Sequence, residues 1–468
     1  MQGKMGGILA SLRGVAGIVA VSSLASTAMA TGTDRASDAT DTKGEPQAVE
    51  VAPTVAGPAE ASTDSGSTEP AFSLASVPVS SSLFGTATSQ DDDGDGALLQ
   101  IGSKYPITFS GFIKADAFWT NGRVNSRDTP QFATADPDSD EQFDATVQFT
   151  RLVLDWDGPE ILYDGKVDAK IEVDLRSLSG DDFAGRFNNS RIATRQLYVN
   201  LTFDTWSVLA GQTWDVFSPL NVDTLNTEGN LWFGGNAGFR RPQLRLEKWF
   251  DVTDEQRFSA LFSVNANIGI PDPMGNEFNT GNDSGKPVLM GAVRYSLPFL
   301  TDSDTTIGVS GLIGEEEVDG LDGGIDQIAY GADLTLPITE QISFKAEWQH
   351  GENTDSFLLG GGFDATFDPA TGLFTGTGDE TEVNAGWGQL SIQATEEFLV
   401  NFTLGQERFT SGSGAGGRDR NTVFGGNLQY SLSEDVIVGA EYTHFDTEYN
   451  GASDEQVDMI WASLIFNF

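Results

Sequence analysis

The sequence predicts an all-β chain: a transmembrane antiparallel β-barrel of about 16 strands behind a disordered N-terminal extension. Two observations lead there, and a third agrees. From Pro106 onward, apolar and polar residues alternate with period two, the pattern of a sheet whose faces meet different surroundings. The links between these segments are by turns short and long, the loop pattern of a membrane barrel. The chain stops inside one such segment, Gln456 to Phe468, with Ile460, Ala462, Leu464, Phe466 and Phe468 on a single face. A chain end is usually loose and polar, so an aromatic carboxyl terminus within an apolar strand argues against a soluble sandwich.

Composition narrows the classes further. The chain of 468 residues has no cysteine, which removes disulfides, thiolate metal sites and cysteine catalysis. A formal charge of −43 is unsuited to nucleic acid, because phosphate binding needs a basic surface. No uncharged apolar run of about 18 residues follows the amino terminus, so helical spans are excluded. A polar average is compatible with a barrel, since only alternate residues need face lipid.

Residues 1–30 read as a signal peptide: Lys4 and Arg13 supply charge, Gly14 to Ala25 an apolar core, and Ala28-Met29-Ala30 a cleavage site. Residues 31–105 are rich in Ala, Ser, Thr, Pro, Gly and acids, with no sustained period, and read as a low-complexity periplasmic extension. Asp91, Asp93, Asp95 and Gly96 match the first half of a calcium loop, but Gly102 stands where the bidentate Glu belongs. No metal site or cofactor is expected.

Residues 106–468 form the barrel. In order, strands are expected at 107–119, 146–156, 166–176, 191–203, 206–214, 239–249, 257–268, 288–297, 305–314, 326–336, 341–350, 383–394, 398–409, 421–431, 436–446 and 456–468. The clearest is the third, where Lys166, Asp168, Lys170, Glu172 and Asp174 oppose Val167, Ala169, Ile171 and Val173. Links after even-numbered strands are tight, as at Asp204-Thr205 and Leu432 to Asp435; links after odd-numbered strands are long, as at 120–145, 215–238 and 351–382. A lipid-facing sheet must close, because only closure removes unpaired edges. A barrel of this size encloses an aqueous channel.

Three short motifs carry a more specific resemblance: Gly111-Phe112-Ile113-Lys114-Ala115-Asp116 in the first strand, Gly211-Gln212-Thr213-Trp214 ending the fifth, and Arg241-Pro242-Gln243-Leu244-Arg245 opening the sixth. Over residues 106–468 the chain resembles the DcaP-like trimeric outer-membrane porins. The resemblance implies sixteen strands, a homotrimer, passage of dicarboxylates and related small anions, and a third long loop folded into the channel. Members of that family can carry an N-terminal coiled coil, whereas residues 31–105 show no heptads. A trimer would therefore have to form through the barrel walls.

The candidate pore-lining cations are Lys114, Arg151, Lys166, Lys170, Arg240, Arg241, Arg245 and Arg294. A basic residue facing lipid at mid-membrane costs about 2–4 kcal/mol, so these should face the lumen. There they either focus the field on passing anions or pair with neighbouring acids. Arg241, Gln243, Arg245 and Glu247 share a parity opposite Leu244 and Leu246, as a lumen face requires. Arg191 and Arg195 break the scheme, because they share parity with Leu197 and Val199; a bulge, a rim position or a subunit interface would each explain it. In the loop 215–238, Asp215, Asp223 and Glu228 would face the basic wall across a constriction. Trp119, Trp206, Trp214, Trp249, Trp348, Trp387 and Trp461 are expected in interfacial girdles.

The expected function is an outer-membrane porin of a Gram-negative bacterium, a passive channel for small hydrophilic solutes that favours small organic anions. Its other partners would be outer-membrane lipid and lipopolysaccharide. A cation-tolerant general porin is the first alternative and a barrel acyl hydrolase the second. The hydrolase would need a nucleophile, a base and an orienting group, and only His350 and His444 are available as histidine bases.

Overall fold

A computed structural model describes residues 97–98, 104–126, 129–135, 141–176, 192–226, 231–269, 280–318, 321, 323–360, 362, 366–368, 373–410 and 417–468. The signal peptide, the half calcium loop, Arg191 and Glu228 lie outside these residues, as does nearly all of the 31–105 extension.

Sixteen antiparallel strands follow one another around a closed wall. They are β1 Ile107–Thr120, β2 in two pieces (Gln142–Thr146 and Arg151–Ile161), β3 Gly165–Asp174, β4 Ala193–Phe203, β5 Trp206–Trp214, β6 Arg240–Thr253, β7 Gln256–Asn265, β8 Val288–Pro298, β9 Asp304–Glu317, β10 Gly324–Pro337, β11 Ile342–Glu352, β12 Glu382–Gln393, β13 Phe398–Phe409, β14 Arg418–Ser431, β15 Val436–Tyr449 and β16 Glu455–Asn467. Closure is made by β16 on β1, from Phe112 opposite Asn467 to Thr120 opposite Met459. Phe468 completes it: its N–H donates to Gly111 O and its carbonyl accepts from Gly111 N, both at 3.1 Å. Gly111 is required there. Its φ is +151°, and a Cβ would stand 2.2 Å from the Arg151 carbonyl oxygen.

Residues 204–205, 254–255 and 432–435 are among the short turns on one rim, while 121–141, 215–239 and 353–381 loop from the other. Outward positions are apolar and open: Leu244, Leu246, Ile307, Phe402, Leu404 and Leu464 are each between 47% and 57% exposed. A water-soluble surface would not carry so broad an apolar band. In a bilayer that band meets hydrocarbon and the closed ladder satisfies the backbone.

The interior departs from a simple water-filled tube. Inward residues of β14, β15, β16 and β1, among them Val423, Phe445, Trp461 and Phe118, pack with Leu225 of the third long loop and Ala133 of the first. A second apolar cluster joins Phe217 and Ala237 of the third loop to Phe357 and Leu359 of the 353–381 loop and to the inner faces of β7 to β10, β12 and β13. Trp461 and Trp387 are therefore inward and buried (1% and 4% exposed), not in a girdle; Trp206 and Trp348 do face outward. Each inward tryptophan donates its indole N–H to an acid, Asp116 and Glu347 respectively, a partner that lipid could not supply.

Strand β2 is broken at residues 147–150 where continuous pairing was expected. Thr150 Oγ1 takes the hydrogen bond of Lys114 N at 3.1 Å, replacing a ladder partner. The detour drops Phe149 into the lumen, where it is buried and lies 5.5 Å from Lys114 Nζ.

Candidate functional site

The third long loop, 215–239, leaves the wall between β5 and β6 and, besides bonds to Ser310 of β9 and to Phe357 and Leu358, makes polar contacts with β11, β12, β14 and β15. In a ring of sixteen strands those lie on the opposite side, so the loop crosses the interior. At its base Asp215 N donates to Phe239 O at 2.8 Å, and Asp215 Oδ2 accepts from Phe239 N at 2.9 Å. Arg241 Nε closes the base with a hydrogen bond of 2.9 Å to Asp215 Oδ1. The same guanidinium donates to Ser356 O and stacks over the Phe357 ring at 4.1 Å, which ties this loop to the 353–381 loop. Burial pushes the Asp215 carboxyl up from its ordinary range, and the Arg241 charge opposes that shift.

On the far wall, four inward side chains hold the loop. Glu347 of β11 accepts from Ser218 Oγ and from Leu220 N, each at 2.8 Å, and from Trp387 Nε1 at 3.0 Å. Gln389 of β12 both accepts from Asp223 N and donates to Asp223 O, at 3.0 Å each way, in the manner of a β-ladder pair. Asn427 of β14 donates to Asp223 O at 2.8 Å, and Glu441 of β15 accepts from Leu225 N at 2.6 Å. These bonds account for backbone groups that crossing the lumen takes away from any sheet. The returning stretch lies flat on the wall. A Cβ on Gly405 would meet Gly234 O at 2.1 Å, so this inward position of β13 has to be glycine.

This placement corrects several expectations. Asp215 and Asp223 do not face a cationic wall across the channel: Asp215 is buried against Arg241, and Asp223 pairs with Lys345 of β11 at 2.8 Å on the wall behind it. Lys114 and Arg241 do not line open lumen, both being 0% exposed. Lys114 is sealed with Asp116 beneath Phe149 and Trp461. Arg240 is also buried, with its guanidinium 4.7 Å from the Trp214 ring. Lys166 stands exposed at the short-turn rim, opposite Glu160.

Four of the eight cations remain partly open on the inner face of β2 to β8: Arg151, Lys170, Arg245 and Arg294. Lys170 lies 3.4 Å from Asp155, and Arg294 lies 3.8 Å from Asp333. Arg245 Nε donates to Gln243 Oε1 at 3.0 Å, which points the guanidinium along the wall.

Arg195 joins this wall through a bulge in β4. The register slips between Glu172 and Val173, so three residues of β4 oppose two of β3. The extra residue is Arg195. It turns inward, donating from Nε to Glu172 at 2.7 Å and from Nη1 to Asp174 at 3.0 Å, while Leu197 and Val199 stay outward. Gln212 Nε2 takes the loosened carbonyls of Thr194 and Arg195. Arg151 approaches the same Glu172 at 3.5 Å. The result is a layered arrangement of arginines and acids on one side of the lumen.

Sequence reading missed the residues that hold the loop. Their signal was present: Glu347, Gln389, Asn427 and Glu441 all carry lumen parity on strands whose outward faces are apolar. What parity lacks is the partner.

No protein-family model matches the chain, and no curated protein matches it in sequence. Solved structures do. The crystal structure of the outer membrane channel DcaP of Acinetobacter baumannii aligns with a TM-score of 0.61 at 16% identity, covering 78% of this chain and 99% of that one. Sixteen strands, the closing pair β16–β1 and this coverage agree. The fold is that of an outer-membrane porin. OmpF of Salmonella typhi, solved with daunomycin, aligns with a TM-score of 0.50 at 13% identity, covering 78% of this chain and 98% of that one. The porin barrel accounts for residues from β1 to the carboxyl terminus, and the likeness read from the Gly111, Gly211 and Arg241 motifs is to the same channel fold.

The loop 353–381 of this porin barrel carries a titratable latch. Asp355 Oδ1 accepts from Ser356 N at 2.7 Å, and a Cβ on Gly362 would stand 3.3 Å from Asp355 Oδ2. Desolvation pushes the Asp355 carboxyl from its ordinary 3.8 up to about 7. A raised acid holds its proton in the docked loop and releases it on undocking, so docking is strongest below about pH 4 and weakens as pH rises toward 7. Hydrogen exchange in residues 353–360, corrected for intrinsic rates, is expected to quicken between pH 5 and pH 8 by roughly tenfold or more. Asp355→Asn should flatten that dependence. An unchanged profile in the variant would show that another group governs the loop.

Proposed function

We propose that this protein is a passive outer-membrane porin for small hydrophilic solutes, favouring small organic anions such as dicarboxylates. One observation carries the reading: a loop rooted between β5 and β6 crosses the interior to Glu347, Gln389, Asn427 and Glu441. The apolar clusters pack around it on β7 to β10, β12 to β16 and β1, and Arg151, Lys170, Arg245 and Arg294 stay partly open on the inner face of β2, β3, β6 and β8. Fixed guanidinium groups in a narrow, low-dielectric passage raise the local concentration of anions, and their forks suit carboxylates. The assembly is a homotrimer formed through the barrel walls. The long loops face the exterior, and the short turns and the 31–105 extension face the periplasm.

The acyl hydrolase alternative finds no support in the placement of the histidines. His350 has Tyr330 and Asn384 as cross-strand neighbours, and His444 has Phe424 and Asp458. Both sit on the outer face, and none of these neighbours is a serine, threonine or cysteine able to attack a carbonyl.

In a planar bilayer the refolded mature protein is expected to give stepwise conductance, with a reversal potential in a salt gradient on the anion side. Arg245→Ala should lower the anion-to-cation permeability ratio by a factor on the order of two. A silent membrane would end the channel reading. Cation preference indifferent to Arg245 would end the anion reading alone.

A further inference from the structure

Two inward side chains of β14 touch the first and the third long loops at once. A second bulge places one of them. The β14–β15 register slips between Arg418 and Arg420, so Arg418 turns into the lumen, 3% exposed, while Arg420 turns out and pairs with Glu448. The Arg418 guanidinium lies 3.6 Å from the Phe132 ring of the first loop and 5.1 Å from the Phe233 ring of the third. Those two rings meet edge-on at 6.3 Å. The other side chain is Asn421, which is fully buried. Its Nδ2 donates to Gln131 O of the first loop at 2.9 Å and to Phe233 O of the third at 2.5 Å. Thr447 of β15 fixes that amide by donating from Oγ1 to Asn421 Oδ1 at 2.9 Å, and the same oxygen accepts from Ala133 N at 3.0 Å.

The first loop meets this junction as a formed unit. Val124 bridges Ala133, Thr134 N donates to Arg123 O at 2.9 Å, and Asn125 Oδ1 accepts from Gln131 N at 2.9 Å. Residues 123–125 and 131–134 are thus the two limbs of a hairpin. The energetics of the junction are close to balanced. Nη1 and Nη2 of Arg418 are buried and have no hydrogen-bond partner, which opposes docking. Two rings against a desolvated guanidinium favour docking, and the two effects are of similar size. Glu407 of β13 supplies an opposing charge through space, and its Oε2 accepts from Gly360 N of the 353–381 loop at 3.4 Å. When either ring leaves, water reaches the guanidinium, and a hydrated cation holds the remaining ring less firmly. Release of one loop therefore loosens the other.

We propose that the first long loop and the returning stretch of the third, residues 231–239, form a single gate on the long-loop side of the lumen, coupled through Arg418 and Asn421. What the gate controls rests on the channel reading above; the coupling itself is a property of the fold. Reciprocity follows from it, because a coupling between two sites acts equally in both directions.

Hydrogen exchange on the full mature protein in detergent reads the coupling without any current. The reporters are Ala133 N and Thr134 N in the first loop, and Phe233 N and Gly238 N in the third, which donate to Leu358 O at 3.0 Å and Phe357 O at 2.8 Å. Phe132→Leu is expected to quicken exchange at Phe233 and Gly238 about tenfold, and Phe233→Leu to quicken exchange at Ala133 and Thr134 by the same factor. In an Arg418→Met background, which keeps bulk and removes the charge, each cross effect should fall to about twofold or less. Arg418→Lys keeps the charge but gives up the planar stacking surface. It should also reduce the cross effects, and it serves where the methionine variant folds poorly. Exchange that stays unmoved across the loops would overturn the gate. Cross effects undiminished without the arginine would leave the coupling to the ring pair and overturn the role of Arg418. In a planar bilayer, Phe132→Leu and Phe233→Leu should add current steps of one shared size, since both release the same unit, and two different sizes would overturn the single gate. A silent wild type would count against the channel reading instead, with the exchange result deciding the coupling by itself.

Discussion

Replacing Glu347 with leucine is expected to release the third loop from the far wall and turn a steady channel into a noisy, wider one. The carboxylate accepts from Ser218 Oγ, Leu220 N and Trp387 Nε1, and Gln349 Nε2 lies 3.2 Å away. Leucine fills the volume and accepts nothing. Trp387 keeps a bond of 3.2 Å to Asn236 Oδ1, and Ser218 keeps Gln349, but no other acceptor is shown for Leu220 N. A part-buried donor left without its acceptor costs about 1–3 kcal/mol, which multiplies the undocked population by roughly fivefold to 150-fold. The strand ladders are untouched, so the barrel itself should resist heat as before. Single-channel records should show larger mean current and frequent stepping between levels. A trace identical to wild type would mean that Gln389, Asn427 and Glu441 hold the loop unaided.

The strands were legible because two solvents impose one rule on each. Leu244 and Leu246 meet lipid at 55% and 47% exposure, and Arg241 and Gln243, of the opposite parity on the same strand, are buried inside, as the alternation requires. The turn pattern was legible from the spacing of the strands, since tight links and long ones alternate along the chain. What alternation could not supply is the third dimension of the lumen. Asp223 reads as a loop acid, and only the fold brings Lys345 to it from 122 residues away. Trp461 reads as a girdle residue until Phe118 stacks on it at 4.6 Å from the inside. Bulges escape for a different reason: an extra residue in one strand is a backbone event with no compositional mark. Arg195 signalled its bulge only by standing on the wrong face. Arg418 and Arg420 gave no warning, since plain alternation puts both on one side.

The bulge at Arg195 makes the second large effect calculable in outline. Arg195→Leu is expected to destabilise the barrel and to shift its ion preference toward cations at the same time. Glu172 and Asp174 are 7% and 2% exposed, and Arg195 touches both. Removing one member of a buried ionic group leaves its partners charged in a low dielectric, at a cost of about 3–5 kcal/mol. Arg151 still approaches Glu172 at 3.5 Å, which places the loss chiefly on Asp174. Arg240 acts on both acids as well, so the variant takes one positive charge out of a larger basic group and leaves the passage more negative by one. The backbone should hold its shape, because Gln212 Nε2 bonds the bulge carbonyls independently of the arginine side chain. Unfolding in denaturant and the reversal potential should therefore move together. Adding Asp174→Asn removes one negative charge and should recover much of both. If Arg195→Leu kept wild-type stability and selectivity, the bulge would be a packing device with no part in the electrostatics of the pore. If stability fell while selectivity held, the ion group would lie off the conducting path, and the proposed preference for anions would rest on Lys170, Arg245 and Arg294 alone.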